Sequence, residues 1–272
     1  MHETHEMAQT SLQKLSLSQT ARRRLLTCPR EPLFLADWDR VLMIHFEIDK
    51  EQLQQAVPFA LDLHNGRAFV SVVAFTMRSM RPRFGGRLTA LLMRPIATHE
   101  FLNVRTYVRN GDETGIFFLA EWLSNRLSVA LGPRVFGLPY RYGKLNYEHS
   151  WKTRRFAGVV AEGDAGGSFE YSGRADSERE LTECSADSLE EWLMERYTAF
   201  TGSKGRARFF RVWHPPWRQI SAQVTIKRAG LLEKSWPFFH SAKLIGSNFS
   251  PGLSDVLMGW LHKALRLQQF LW

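Results

Sequence analysis

The sequence predicts a mainly β fold of the α+β class, a large antiparallel barrel or sheet with helices packed against it. Three observations lead there. Strand-like runs of β-branched and aromatic residues recur along most of the chain, and only a few helical patterns lie between them. Strand and helix patterns do not alternate as a parallel sheet would need. No GxGxxG or GxxxxGK[ST] loop is present to mark a dinucleotide or P-loop fold.

Taken in order, residues 1–30 read as a polar N-terminal extension with one helix around Leu12 to Leu26. Residues 31–272 read as a single domain. Val41 to Ile48 is a strand. Asp49 with Gln52 caps a short helix that must stop near Pro58. Asn65-Gly66 turns the chain into a long strand beginning at Arg67. RPRFGGRL, from Arg81, reads as loop, with Gly85-Gly86 at its tip. Phe101 to Arg109 and Ile116 to Leu123 form a strand pair, and Arg154 to Ala161 and Ser168 to Ala175 another, joined by EGDAGG.

Asp187 with Glu190 caps a helix whose apolar face is Leu189, Trp192, Leu193, Tyr197 and Phe200. Arg206 to Trp213 and Ile220 to Lys227 are strands flanking His214-Pro215-Pro216-Trp217. A last amphipathic helix is expected from the stripe Leu253, Val256, Leu257, Trp260, Leu261, Ala264 and Leu265.

Composition narrows the function classes. The chain has 272 residues, a net charge of +9 and only two cysteines, Cys28 and Cys184. So few cysteines, without a CxxC pair or an apolar leader, fit a reducing cytoplasm. No apolar window is long enough for a transmembrane helix. The basic residues are scattered and accompany no nucleic-acid-binding motif, so no specific nucleic-acid partner is expected. His2-Glu3-Thr4-His5 is one residue short of HExxH, and the other histidines lack ligand spacing. Neither a metal nor another cofactor is expected. Whether the chain forms a homo-oligomer is left open.

Polar residues suited to chemistry concentrate between His99 and Tyr147. On the strand Phe101 to Arg109, Asn103, Arg105, Tyr107 and Arg109 share one face, which lines a polar cavity or faces solvent. The partner strand is apolar on both faces, with Ile116, Phe118, Ala120 and Trp122 set against Phe117, Leu119 and Leu123. Its one internal charge, Glu121, must be paired or neutralised by burial. A register placing Arg105 opposite Glu121 would pair both. After the Gly137–Pro139 bend, Tyr140, Tyr142 and Lys144 alternate with Arg141 and Gly143. A lysine in an apolar pocket could supply a Schiff-base amine, and Lys144 is the one lysine in this region.

THEFLNVRTYV followed by GPRVFGLPYRYGKL resembles the acetoacetate decarboxylase superfamily, specifically its YqjF-like branch, a domain of unknown function. The early strand with Trp38 and His45 and the late His214-Pro215-Pro216-Trp217 look like that branch too. The resemblance spans residues 35 to 250. It implies a cone-like antiparallel β-barrel with flanking helices, an internal cavity and a small organic (keto) acid as ligand. The superfamily's catalytic glutamate corresponds to Glu100 and the arginine of its turn to Arg134. Its reactive lysine pair corresponds to Tyr140 and Arg141, and a guanidinium stays protonated and forms no imine under ordinary conditions. Schiff-base decarboxylation is therefore not expected unless Lys144 reaches the cavity.

The resulting expectation is a small-molecule-binding or lyase-type barrel. Glu100, Tyr140 and Lys144 are its candidate catalytic residues. Arg105, Tyr107, Glu121, Arg134 and Arg141 are its candidate ligand-binding residues. The alternative is a non-enzymatic protein that engages a partner or a membrane through its basic surface or C-terminal helix.

Overall fold

A computed structural model describes residues 15–163, 167–176, 178–202 and 206–264. The HETH motif, the start of the N-terminal helical pattern, the tip of the EGDAGG turn and residues from Leu265 onward lie outside the described residues.

The strands are β1 (Phe34–Ile48), β2 (Ala60–Leu61), β3 (Ala68–Pro82), β4 (His99–Asn110), β5 (Glu113–Leu123), β6 (Tyr140–Tyr142) and β7 (Lys144–Ser150). They continue as β8 (Arg155–Ala161), β9 (Ser168–Ala175), β10 (Thr198–Thr201), β11 (Arg208–Trp213), β12 (Ile220–Arg228), β13 (Lys243–Met258) and β14 (His262–Lys263). The α-helices are α1 (Leu17–Leu26), α2 (Lys50–Ala56), α3 (Gly86–Met93), α4 (Arg126–Val135), α5 (Leu189–Met194) and α6 (Gly230–Ser235).

The main run of the sheet is β11-β10-β5-β4-β3-β1-β13, and β11 pairs with β13 as well, so these strands form a hydrogen-bonded ring. A branch, β12-β9-β8-β7, leaves from β13. Almost all pairings are antiparallel; β10 and β6 run parallel to β5. The sheet therefore has two core layers. One holds Leu42, Ile44, Val72, Val104 and Trp122 against Phe156, Phe169 and Tyr171 of the branch and Leu231 of α6. The other holds Met43, Val73, Phe101, Tyr107, Ile116 and Phe118 against Leu193 and Met194 of α5, Phe210 and Trp217.

Local signals explain several elements. The Asp49 side chain accepts from Gln52 N at 2.9 Å, and α2 ends before Pro58 as expected. Asn65 (φ 52°) and Gly66 (φ 75°) turn the chain in the left-handed region into β3. Within the polar N-terminal extension, α1 is anchored to the sheet. Leu25 is fully buried, and Ser18 Oγ donates to the His214 carbonyl at 2.9 Å.

Three expectations are corrected. The apolar stripe from Leu253 is not a helix but the end of β13, followed by β14. Between the pairs Trp38↔Leu253 and Ala36↔Val256, β13 holds one extra residue. This bulge, with Asp255 at φ 53°, breaks the two-residue alternation and leaves apolar residues at helix-like spacing. The segment beyond Ser188 is helical only to Met194. Tyr197 lies beyond it, and Phe200 belongs to β10, whose backbone pairs with β5 and β11. The N-cap is Ser188, whose hydroxyl accepts from Glu191 N at 3.1 Å, one residue later than the Asp187 expected. Finally, part of the loop read from Arg81 is helix α3, which starts at Gly86.

Phe249 is where the ring and the branch meet, because β13 pairs it with Leu42 of β1 and Ile220 of β12. It is fully buried, with ring centres 5.2 Å from Phe156 and 5.4 Å from Trp151. Phe249→Ala is expected to destabilise the protein by about 3–5 kcal/mol, read as a lowered midpoint in urea unfolding with an unchanged slope.

Candidate functional site

Strand β4 sets the site. Its residues alternate strictly, so His99, Phe101, Asn103, Arg105 and Tyr107 face the layer that contains α5 and Trp217. Opposite them, β5 carries a bulge. Asn103 pairs with Glu121 and Val104 with Ala120, but Arg105 pairs with Phe118, so Leu119 is the extra residue. The bulge reverses the facing of β5. Ala120 and Trp122 pack in one layer while Ile116 and Phe118 pack in the other. The even-numbered face expected from alternation is therefore split, and Glu121 can point to the same side as Phe118. The register that would set Arg105 opposite Glu121 is not formed: Glu121 pairs with Asn103, two residues before Arg105.

Arg105 is 8% exposed, yet no carboxylate among the described residues lies within ion-pair distance of it. Its Nη2 reaches only the Leu193 carbonyl at 3.4 Å and Met43 Sδ at 3.7 Å, and its Nε has no partner. Its charge is nevertheless felt at His45, Glu121, Arg196 and His214. Burial drives the Glu121 carboxyl well above the usual carboxylate range, and the pull of Arg105 in the other direction does not overcome this. Burial therefore favours a neutral Glu121 carboxyl beside a fixed guanidinium charge.

Other buried groups converge here. Ser71 Oγ lies 2.7 Å from His45 Nδ1 and 2.5 Å from Tyr107 OH, and Tyr107 OH donates to the Leu193 carbonyl at 3.0 Å. His45 Nε2 lies 3.1 Å from Asn248 Oδ1. Arg105 and Tyr107 thus share one backbone oxygen at the end of α5. Several polar atoms of this layer have no partner: both His99 nitrogens, Asn103 Oδ1, Arg105 Nε, Glu121 Oε2 and Trp217 Nε1. Buried polar atoms are nearly always paired, so this group of orphans on one interior face makes it the candidate site.

Tyr140 completes the site. It is the parallel neighbour of Glu121, packs against Phe101 at 6.0 Å, and its phenol is pushed up first by burial and then by Glu121. Gly132 of α4 leaves room for it, since a Cβ there would lie 2.0 Å from the Tyr140 ring.

The predicted residues divide accordingly. Arg105, Tyr107, Glu121 and Tyr140 come together. Glu100 projects from the opposite face of β4, where its carboxylate accepts from Ser124 Oγ at 3.2 Å and its charge is felt at Tyr147. Arg141 lies over the Trp122 ring and near Glu162, on the side away from Arg105. Arg134 is exposed on α4 and donates to the Ala130 carbonyl at 2.9 Å. Lys144 is exposed at the start of β7. Every lysine among the described residues is exposed.

Sequence reasoning assigned no role to His45, Ser71, His99, Trp217 or Asn248. These residues sit in long apolar strands or a Pro-rich corner, and only their burial reveals them. The corner itself is packing: His214 lies against Tyr197 at 4.7 Å and Trp217 at 5.1 Å. Among the described residues no group of three or more His, Cys, Asp or Glu could hold a metal. No helix of the described residues is long and apolar enough to cross a membrane.

Known proteins place this architecture. Acetoacetate decarboxylase from Legionella pneumophila has the same fold class, with a TM-score of 0.59 and 13% identity over 89% of this chain and 94% of that one. An acetoacetate decarboxylase-like enzyme from Sphingomonas wittichii RW1 superposes with a TM-score of 0.58 and 14% identity, over 86% and 95% of the two chains. The enduracididine biosynthesis enzyme MppR, solved with the condensation product of pyruvate and imidazole 4-carboxaldehyde, gives 0.57 and 14%, over 89% and 91%. The fold is therefore acetoacetate decarboxylase-like. Within that class the chain belongs to DUF2071, a family described as an uncharacterized conserved protein, whose model matches residues 35–243. It is 29% identical over 215 residues to the uncharacterized protein YqjF of Bacillus subtilis, covering 76% of this chain and 86% of that protein.

The buried histidines give a pH test. Burial lowers His45 to about 3, and His99, His149 and His214 to about 4, from 6.5. The unfolded chain takes these protons first, so the stability of neutral burial is full above about pH 6.5 and is lost as pH falls toward about 4. At about pH 5.5 each histidine should remove about 1.4 kcal/mol. Glu121 acts with the opposite sign, because its raised pKa favours the native state as pH falls. A clear net drop in urea midpoint between about pH 7.5 and 5.5 is expected.

Proposed function

We propose that this protein binds a small organic acid, of the keto-acid class, non-covalently on the interior face around Arg105. In this reading the ring of strands acts as a barrel enclosing the ligand. The observation that carries the reading is the buried guanidinium of Arg105, which has a free Nε and no carboxylate counterion among the described residues. A carboxylate arriving there would accept from Arg105 in a bidentate fork and take over from the Leu193 carbonyl. The protonated Glu121 carboxyl and the Tyr140 phenol would donate to a carbonyl oxygen on the same ligand. Asn103 and Trp217 would supply an acceptor and a donor for its remaining polar atoms.

The neighbours support the ligand class. MppR has been solved with pyruvate and with a pyruvate condensation product. The position resembling the first reactive lysine is Tyr140, and it faces the same interior as Arg105. With no buried lysine among the described residues, imine formation has no amine there, and Tyr140 offers hydrogen bonding in its place. Glu100, Arg134, Arg141 and Lys144 play no part in this binding mode.

Titration with pyruvate, acetoacetate and related keto acids should raise the melting temperature for at least one of them. Arg105→Met should weaken that binding by about 10- to 100-fold, the worth of a charge-assisted hydrogen bond, while Arg141→Met leaves it unchanged. Borohydride trapping should give no covalent adduct, and an adduct on Lys144 in the mass spectrum would overturn the non-covalent reading.

A further inference from the structure

We propose that helices α3 and α4 form a docking surface for an anionic lipid membrane. Its residues are not those of the acid site or of the C-terminal strand.

Helix α3 has no buried residue, so it stands outside the sheet. Leu88, Leu91 and Leu92, at i, i+3 and i+4, are 69%, 60% and 73% exposed, and Phe84 just before them is 54% exposed. Leucines so exposed normally lie against something apolar. Leu127, Leu131 and Val135 of α4 are exposed as well. The two helices are tied together: Asn125, whose side chain caps α4, also donates to the Pro95 carbonyl at 2.6 Å, in the turn that follows α3.

The charges decide the occupant. From Leu63 to His99 the sequence contains no Asp or Glu, and from Trp122 to Tyr147 again none. Within those stretches Arg83, Arg87, Arg94, Arg126 and Arg134 are exposed. Both helices therefore present outward apolar side chains among arginines, and neither helix carries a carboxylate of its own. A second copy of the chain would set these arginines against their like. An anionic bilayer surface supplies the opposite charge, and its acyl boundary receives the leucines. A helix that stands proud of the sheet suits insertion into that boundary.

The test is co-sedimentation of the full chain with vesicles of phosphatidylglycerol and phosphatidylethanolamine, compared with phosphatidylcholine alone. Binding is expected to the anionic vesicles only and to weaken at high salt. Arg87→Ser with Arg94→Ser should reduce partitioning about tenfold or more, since each arginine near such a surface is worth about 1 kcal/mol. Leu91→Ser with Leu92→Ser should abolish it. These side chains are exposed, so circular dichroism and melting temperature should be unchanged in both variants. Failure of the wild-type chain to bind would overturn the proposal, as would binding that survives both double substitutions. So would light scattering that shows a dimer converted to monomer by the leucine substitutions, which would assign the face to a second copy.

Discussion

The interior of this protein is organised around a buried positive charge that has no carboxylate partner among the described residues. A guanidinium out of water is tolerated only with strong compensation, and the usual compensation is a carboxylate. Arg105 instead has a carbonyl, a thioether sulfur and a free Nε. The surroundings are consistent with keeping that charge uncancelled. Glu121 lies opposite Asn103, two residues along β4, and is pushed toward its neutral form. His45 and His214 are pushed toward neutrality by burial and by Arg105 itself. Arg196, the other buried guanidinium nearby, is by contrast paired with Asp62 at 2.8 Å.

A single β-bulge makes this arrangement possible. Without the extra residue at Leu119, a strict two-residue alternation would set Glu121 on the face opposite Ile116 and Phe118. The bulge lets β5 give Trp122 to one core layer and Phe118 to the other, so the Glu121 carboxyl and the Arg105 guanidinium share an interior. Bulges commonly re-aim a side chain next to a site, and here the re-aimed side chain is the one carboxyl among the candidate residues that stays beside Arg105.

How much of this was legible in the sequence follows from the same geometry. The inward face of β4 was readable because its alternation is unbroken from His99 to Tyr107. The turn at Asn65-Gly66 and the cap at Asp49 were readable because they rest on local chemistry. The facing of β5, the strand at Val256 and the end of α5 were not. In the first two a bulge breaks the period on which the reading depends. In the third a strand pairing outweighed a helical apolar pattern. His45 and Ser71 were hidden because a polar residue in a β-branched run carries no sign of its partners, which lie 26 and more residues away.

Glu100 and Tyr140 show how far a family resemblance carries. The resemblance implied catalytic positions at both, yet they stand on different sides of the sheet. Position 140 keeps its inward aim because β6 pairs parallel to β5 beside Glu121 and because Gly132 leaves space for the ring. Glu100 is bound to Ser124 on the other face, and no single side-chain rotation carries a group through a hydrogen-bonded strand. The side chain at position 140 is a phenol that burial keeps protonated, and a protonated phenol can donate to an oxygen but cannot form an imine. In the proposed binding mode Arg105 would hold the acid's carboxylate, and among the described residues there is no buried amine to act on it covalently.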